Sequence, residues 1–283
     1  MNTPFISTNG VKLHVVQAGS LDGKLLIFLH GFPEFWFGWR HQIDFFAQQG
    51  FRVWVPDQRG YNLSDKPKGL DAYNIDQLAG DVVGLIDAAN VKKAYIVGHD
   101  WGASVAWWTA ITYPERVERL VILNVPHPVV MRKKLQSSFA QLRKSWYIFF
   151  FQLSWLPEAL ARMNNFSAVV QSMQNSSRPG TFNADDLKHY RAAWAQPNAY
   201  TSMLNWYRAI AQRQPKRPPS YRVTMPTLII WGVLDKFLGR ELAQESLPLC
   251  DHGQLQYIDN ATHWVQHEEP ARVNRLINQL IQP

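Results

Sequence analysis

The stretch Ile96-Val97-Gly98-His99-Asp100-Trp101-Gly102-Ala103 carries an apolar strand signal into a Gly-x-Asp-x-Gly turn, and residues 104–111 behind it are rich in Ala and Trp and read as a buried helix. Glycines two residues either side of a central residue permit a sharp strand-to-helix turn that lifts the central side chain above a sheet. Here that side chain is a carboxylate. With an ordinary pKa near ~3.9 it is ionised at neutral pH, so as a nucleophile it needs no base to activate it, unlike a serine. A histidine in the same site is left free for a second step.

Upstream, residues 11–17, 25–29, 52–55 and 94–97 read as strands, with helices over 39–49 and 74–89; residues 117–123 add a further strand. This alternation predicts a mostly parallel central sheet with helices on both faces. After Pro126 the rhythm changes, because residues 131–210 hold amphipathic helical stretches and no buried strand. Strands resume at 227–231 and 253–258, and a helix over 270–280 opens on Pro270, as helix starts often do. Pro215, Pro218 and Pro219 mark the return hinge. The expected division is an α/β core of residues 1–127 and 219–283 and an all-helical insertion of residues 128–218.

Composition narrows the classes. Of 283 residues 46% are hydrophobic and 18% charged, which excludes disorder and suits one large α/β domain with an insertion. Twelve Trp suggest rings along a pocket as well as in the core. The net charge of +7 is scattered, and its densest groups, Arg132-Lys133-Lys134 and Lys216-Arg217, lie outside any nucleic-acid motif, so no nucleic-acid partner is expected. Cys250 is the sole cysteine, which rules out an intrachain disulfide or zinc-binding cysteine cluster and points to a reducing compartment. Residues 1–16 hold no basic stretch followed by an apolar run, so a cytoplasmic protein is expected. The most apolar window, 146–156, is too short to span a bilayer and reads as a core or pocket-lining helix, without stable membrane insertion.

Two further ionisable residues follow strand signals. Asp235 comes after strand 227–231 through Gly232, and His263 lies in the loop Asn260-Ala261-Thr262-His263-Trp264 after strand 253–258. The chain order nucleophile, acid, histidine is that of one hydrolase architecture and differs from the orders other folds use for the same geometry. An oxyanion hole needs one N–H just after the nucleophile and one from an early loop. Trp101 supplies the first, and Phe32 in His30-Gly31-Phe32-Pro33 the second; Pro33 has no N–H to compete.

With these residues the chain strongly resembles the epoxide hydrolases of the α/β-hydrolase superfamily. The resembling segments are His30-Gly31-Phe32-Pro33-Glu34, Trp39-Arg40, Asp57-Gln58-Arg59-Gly60-Tyr61, Gly98-His99-Asp100-Trp101-Gly102, Tyr113-Pro114-Glu115-Arg116-Val117, Asn205-Trp206-Tyr207-Arg208 and the His263 loop, so the likeness runs the whole chain. The resemblance implies an α/β-hydrolase fold whose helical insertion is a cap bearing two tyrosines that bind the epoxide oxygen. Tyr207 matches the second of these, and Tyr147 in Ser145-Trp146-Tyr147-Ile148-Phe149-Phe150 best matches the first. Asn62 stands where many relatives have Gly, and Asn tolerates left-handed backbone.

An epoxide suits this set for a chemical reason. Ring opening expels an alkoxide, a poor leaving group without a nearby acid, and a phenol with pKa near ~10 is a neutral donor throughout the physiological range. The expected route is an ester on Asp100, hydrolysed by a water that His263 activates while Asp235 orients the imidazole. Phe32, Trp36, Trp101, Phe149 and Trp206 are candidate walls for an apolar or aryl substrate, with no metal or organic cofactor required and a monomer or homodimer both open. A haloalkane dehalogenase with the same aspartate is the nearest alternative, but halide needs no proton and gives cap tyrosines no task. A noncatalytic receptor on this fold has no need of a buried charged triad.

Overall fold

The structure is a computed structural model that describes residues 1–282. Chain order is β1 (Phe5–Thr8), β2 (Val11–Gly19), β3 (Leu25–Leu29), α1 (Arg40–Gln48), β4 (Arg52–Pro56), α2 (Ile75–Ala88), β5 (Ala94–His99), α3 (Trp101–Thr112) and β6 (Val117–Leu123). Seven helices follow without a strand: α4 (Pro128–Ser137), α5 (Phe139–Lys144), α6 (Trp146–Phe150), α7 (Leu156–Arg162), α8 (Ser167–Ser176), α9 (Ala184–Trp194) and α10 (Ala199–Gln212). Then come β7 (Thr227–Gly232), α11 (Glu241–Ser246), β8 (Gly253–Ile258), α12 (Val265–Glu268) and α13 (Pro270–Ile281). The sequence reading locates β2 to β8 to within a few residues and misses only the short edge strand β1.

One eight-stranded sheet has the order β1-β2-β4-β3-β5-β6-β7-β8, with β1 and β2 antiparallel to their neighbours and the rest parallel. Side chains alternate between its faces, as a pleat demands. In β3, Leu25, Ile27 and Leu29 join the core beneath α2 and α3, whereas Leu26 and Phe28 join the opposite core with Ile43 of α1 and Val273 of α13. Because both faces are covered, β3 and β5 are buried throughout and read as continuous apolar runs.

The order reverses between β3 and β5. From β3 the chain steps outward to β4, and from β5 it proceeds the other way, so the connections leaving these adjacent strands diverge and open a crevice at their carboxyl ends. Leu29 pairs with Gly98, which puts the loop after β3 beside the turn after β5.

Candidate active site

Asp100 is built by that turn. Its backbone sits at φ 50° and ψ −124°, an unfavourable region for any residue with a Cβ, and its flanking glycines make the bend possible. A Cβ on Gly102 would lie 2.1 Å from the Leu29 carbonyl oxygen, and one on Gly98 2.4 Å from that of Gly102. Gly31 serves the same close approach from the other side, since its Cβ would lie 2.6 Å from Asp100 Oδ1. The backbone N–H of Phe32 donates to that oxygen at 2.8 Å. Trp101 opens α3, so its N–H has no acceptor within the helix.

The loop bearing Phe32 is held from two directions. Gln58 donates its N–H to His30 Nε2 at 3.0 Å. From the helical insertion, Tyr190 donates its hydroxyl to Glu34 Oε1 at 2.7 Å and Trp194 its indole N–H to the Pro33 carbonyl at 2.5 Å. Burial alone would raise the Glu34 carboxyl, but the imidazoles of His267 and His99 hold it well below the usual carboxylate range. His99 Nε2 in turn donates to the His263 carbonyl at 2.8 Å, tying this network to the far side of the site.

Three neighbouring strand ends bring the remaining polar groups together. His263 Nδ1 lies 2.8 Å from Asp235 Oδ2, and its Nε2 3.3 Å from Asp100 Oδ2. Asp235 Oδ1 accepts the N–H groups of Phe237 and Leu238 at 2.7 and 3.0 Å. Asn124, one residue past β6, donates to Asp235 Oδ2 at 2.7 Å and accepts the Gly232 N–H at 3.0 Å. The His263 loop passes so close to β7 that a Cβ on Gly232 would meet the Thr262 carbonyl oxygen at 2.0 Å.

The charges shape one another. Burial disfavours an ionised carboxyl, yet His263 together with the neighbouring hydrogen-bond donors outweighs it at both Asp100 and Asp235, and each is held below the ordinary value. Burial would lower the His263 pKa, but the two carboxylates push it up to about 10, so the imidazole is protonated at neutral pH.

Above Asp100 stand aromatic rings. The Tyr207 ring lies edge-on to Trp101 at 5.0 Å, to Phe32 at 5.3 Å and to Tyr147 at 6.0 Å between centroids. Tyr147 also meets Phe237, whose ring is 5.1 Å from that of His263. The Tyr207 hydroxyl meets the indole N–H of Trp101, and the Tyr147 and Tyr207 rings face each other across the site. Burial first, and then the charge of Asp100, push both phenols above their usual value, so they stay protonated.

Other expected walls fare differently. Trp206 is buried behind Trp101, 5.6 Å away, with its indole N–H on the Arg59 carbonyl at 3.0 Å. Trp36 packs on Phe35 and Phe37 and has no ring contact with this group among the described residues. Phe149 is a correction: it is 59% exposed on the outer face of α6, and Phe151 takes the inward place, 5.0 Å from the Tyr207 ring. Helix geometry explains this, since Phe151 is four residues from Tyr147 and shares its face while Phe149, two residues on, points the opposite way. That spacing, and the position of Asn124 at a buried strand end, are the signals that would have found both residues in the sequence.

Strand order, reversal point and elbow are those of the α/β-hydrolase fold, and a family described as alpha/beta hydrolase fold matches residues 24–270. The AB hydrolase superfamily protein YfhM of Bacillus subtilis (strain 168) is 49% identical over 96% of this chain and 95% of its own length. Epoxide hydrolase 1 of Caenorhabditis elegans is 41% identical over 98% of this chain and 69% of its own. The crystal structure of an epoxide hydrolase from Bacillus megaterium in complex with an inhibitor aligns with a TM-score of 0.89 at 33% identity, covering 98% of this chain and 99% of that one. The chain belongs to the epoxide hydrolase family of the α/β-hydrolase fold.

Proposed function

We propose that this protein hydrolyses apolar epoxides to vicinal diols through an ester on Asp100, with residues 128–218 acting as a cap over the core of residues 1–127 and 219–283. The observation that carries this reading is the pair of buried, protonated phenols, Tyr147 and Tyr207, beside a carboxylate held ionised by His263. Attack by Asp100 on a ring carbon forms the C–O ester bond and breaks the ring C–O bond, and the departing oxygen takes its hydrogen bond and proton from the tyrosines. The ester neutralises Asp100, and the proton His263 holds in the resting site is given up to restore the phenol, which leaves the imidazole neutral. His263 then removes a proton from water, which adds to the ester carbonyl carbon, while Asp235 orients the imidazole and stabilises its charged form.

The oxyanion of that step lies between the N–H groups of Phe32 and Trp101, donors each worth roughly 10² to 10³ in rate. Collapse releases the diol and restores Asp100. The rings of Phe32, Trp101, Phe151 and Tyr207 favour apolar or aryl substituents over charged ones. A cytoplasmic setting belongs to this reading, as the lone Cys250 suits a reducing compartment. The test is diol formation from a panel of aryl and alkyl epoxides, with halide release from haloalkanes measured beside it. Diol above a heat-killed control supports the reading; halide without diol overturns it in favour of a dehalogenase.

A further inference from the structure

Helices α5 to α7 leave an apolar surface uncovered. Phe139 is 81% exposed, Trp146 63% and Trp155 73%, and Phe149 and Leu153 of the same stretch are exposed as well. These five, all within residues 139–155, are more large apolar side chains than a chain usually leaves in water without a partner for them. Charge identifies the partner. Arg132, Lys133, Arg143, Lys144 and Arg162 are exposed along the same stretch and make no ion pair among the described residues. The one acidic residue between 128 and 163, Glu158, is buried and paired with Arg208 at 2.8 Å.

We propose that this face rests on the surface of an anionic lipid bilayer, its aromatic rings at the headgroup level and its cations on the lipid phosphates. Tryptophan suits that boundary because one end of the ring is apolar and the other is wet. A second copy of the chain suits the face less well, since a two-fold contact brings the same five cations against themselves. Among the described residues no helix is long and apolar enough to cross a membrane, so the attachment is to the surface. Helix α6 turns Trp146 and Phe149 outward and Tyr147 inward, so the bilayer lies about one helix diameter, ~10 Å, from that phenol.

The experiment is flotation of the full chain with phosphatidylglycerol vesicles and with phosphatidylcholine vesicles in 0.1 M salt. Binding to the first and not the second is expected, with loss in 1 M salt as screening shortens the electrostatic range. Arg143→Gln with Lys144→Gln should cut partitioning about 25-fold, at about fivefold per cation. The same charge removed elsewhere, by Lys92→Gln with Arg275→Gln, should cost much less. Trp146→Ser with Trp155→Ser should weaken binding with every charge retained, and an unchanged melting temperature verifies that each variant is folded. The proposal is overturned by no flotation with phosphatidylglycerol, by equal losses from the two pairs of charge variants, or by full binding of the tryptophan variant. A dimer in sedimentation velocity that Trp146→Ser converts to a monomer would assign the face to a second copy instead.

Discussion

The protonation of His263 should depend on the charge of Asp100, and Asp100→Asn tests this. The imidazole lies between two carboxylates, Asp235 at 2.8 Å and Asp100 at 3.3 Å. With charge centres about 4 Å apart and an effective dielectric constant of about 20, one carboxylate contributes roughly 4 kcal/mol, and each ~1.36 kcal/mol is tenfold in proton affinity. Removing one charge should bring His263 from about 10 to roughly 7. The Phe32 N–H can still donate to the amide oxygen of Asn, which preserves the geometry. The assay is a ring-nitrogen NMR titration from pH 5 to 11, with His263→Gln identifying the signal among nine histidines. A midpoint within one pH unit of the wild type, or above it, would refute the coupling. The result bears on chemistry because esterified Asp100 is also uncharged, so the variant reports the state in which His263 has to act as a base.

Other outcomes follow from the same geometry. His263→Gln should stop the second step, and intact mass should show protein heavier by the whole mass of the epoxide; a haloalkane adduct would instead lack the halogen. The same change should flatten thermal stability against pH. A raised histidine pKa contributes stability that is complete below about 6.5 and lost as pH rises through about 10, so wild-type melting should fall across that window by several degrees more than the variant's. Tyr147→Phe and Tyr207→Phe should each slow ester formation by roughly 10² to 10³, with the double change far worse; stopped-flow burst kinetics would show if only Tyr207 matters. Asn124→Ala leaves the Gly232 N–H unpaired and Asp235 short of a donor, at a cost of about 1–3 kcal/mol and several degrees of melting temperature. An unchanged melt would remove Asn124 from the supporting framework.

Much of this architecture was legible because its constraints are local. A Gly-x-Asp-x-Gly turn after an apolar run reflects contacts of the bend itself, and the registers of β3, β5 and β7 follow from runs that are buried on both faces. Asn62 behaves as its residue type allows, at φ 39°. Less legible were features set by distant partners. The short strand β1 owes its pairing to β2, and Glu34 lies in a site made by His267, Tyr190 and Gln266 from more than 150 residues away. The window 146–156 shows the difference most clearly. Its apolar composition reads as a core or pocket-lining helix, and Tyr147 and Phe151 do face Tyr207, but a five-residue helix has only one inward face, and Trp146 and Phe149 are turned to the outside.

The elbow charge links the two halves of the proposed reaction. While Asp100 is ionised it keeps His263 protonated and pushes the phenols of Tyr147 and Tyr207 up, so the resting site holds a nucleophile, two neutral donors and a histidine unable to act as a base. Ester formation cancels that charge. The phenols then become better acids as the alkoxide requires a proton, and His263 loses one of the two carboxylates that held its own. A serine at position 100 would remain neutral before attack and supply no such change, so the carboxylate both attacks the substrate and sets the order in which its neighbours work.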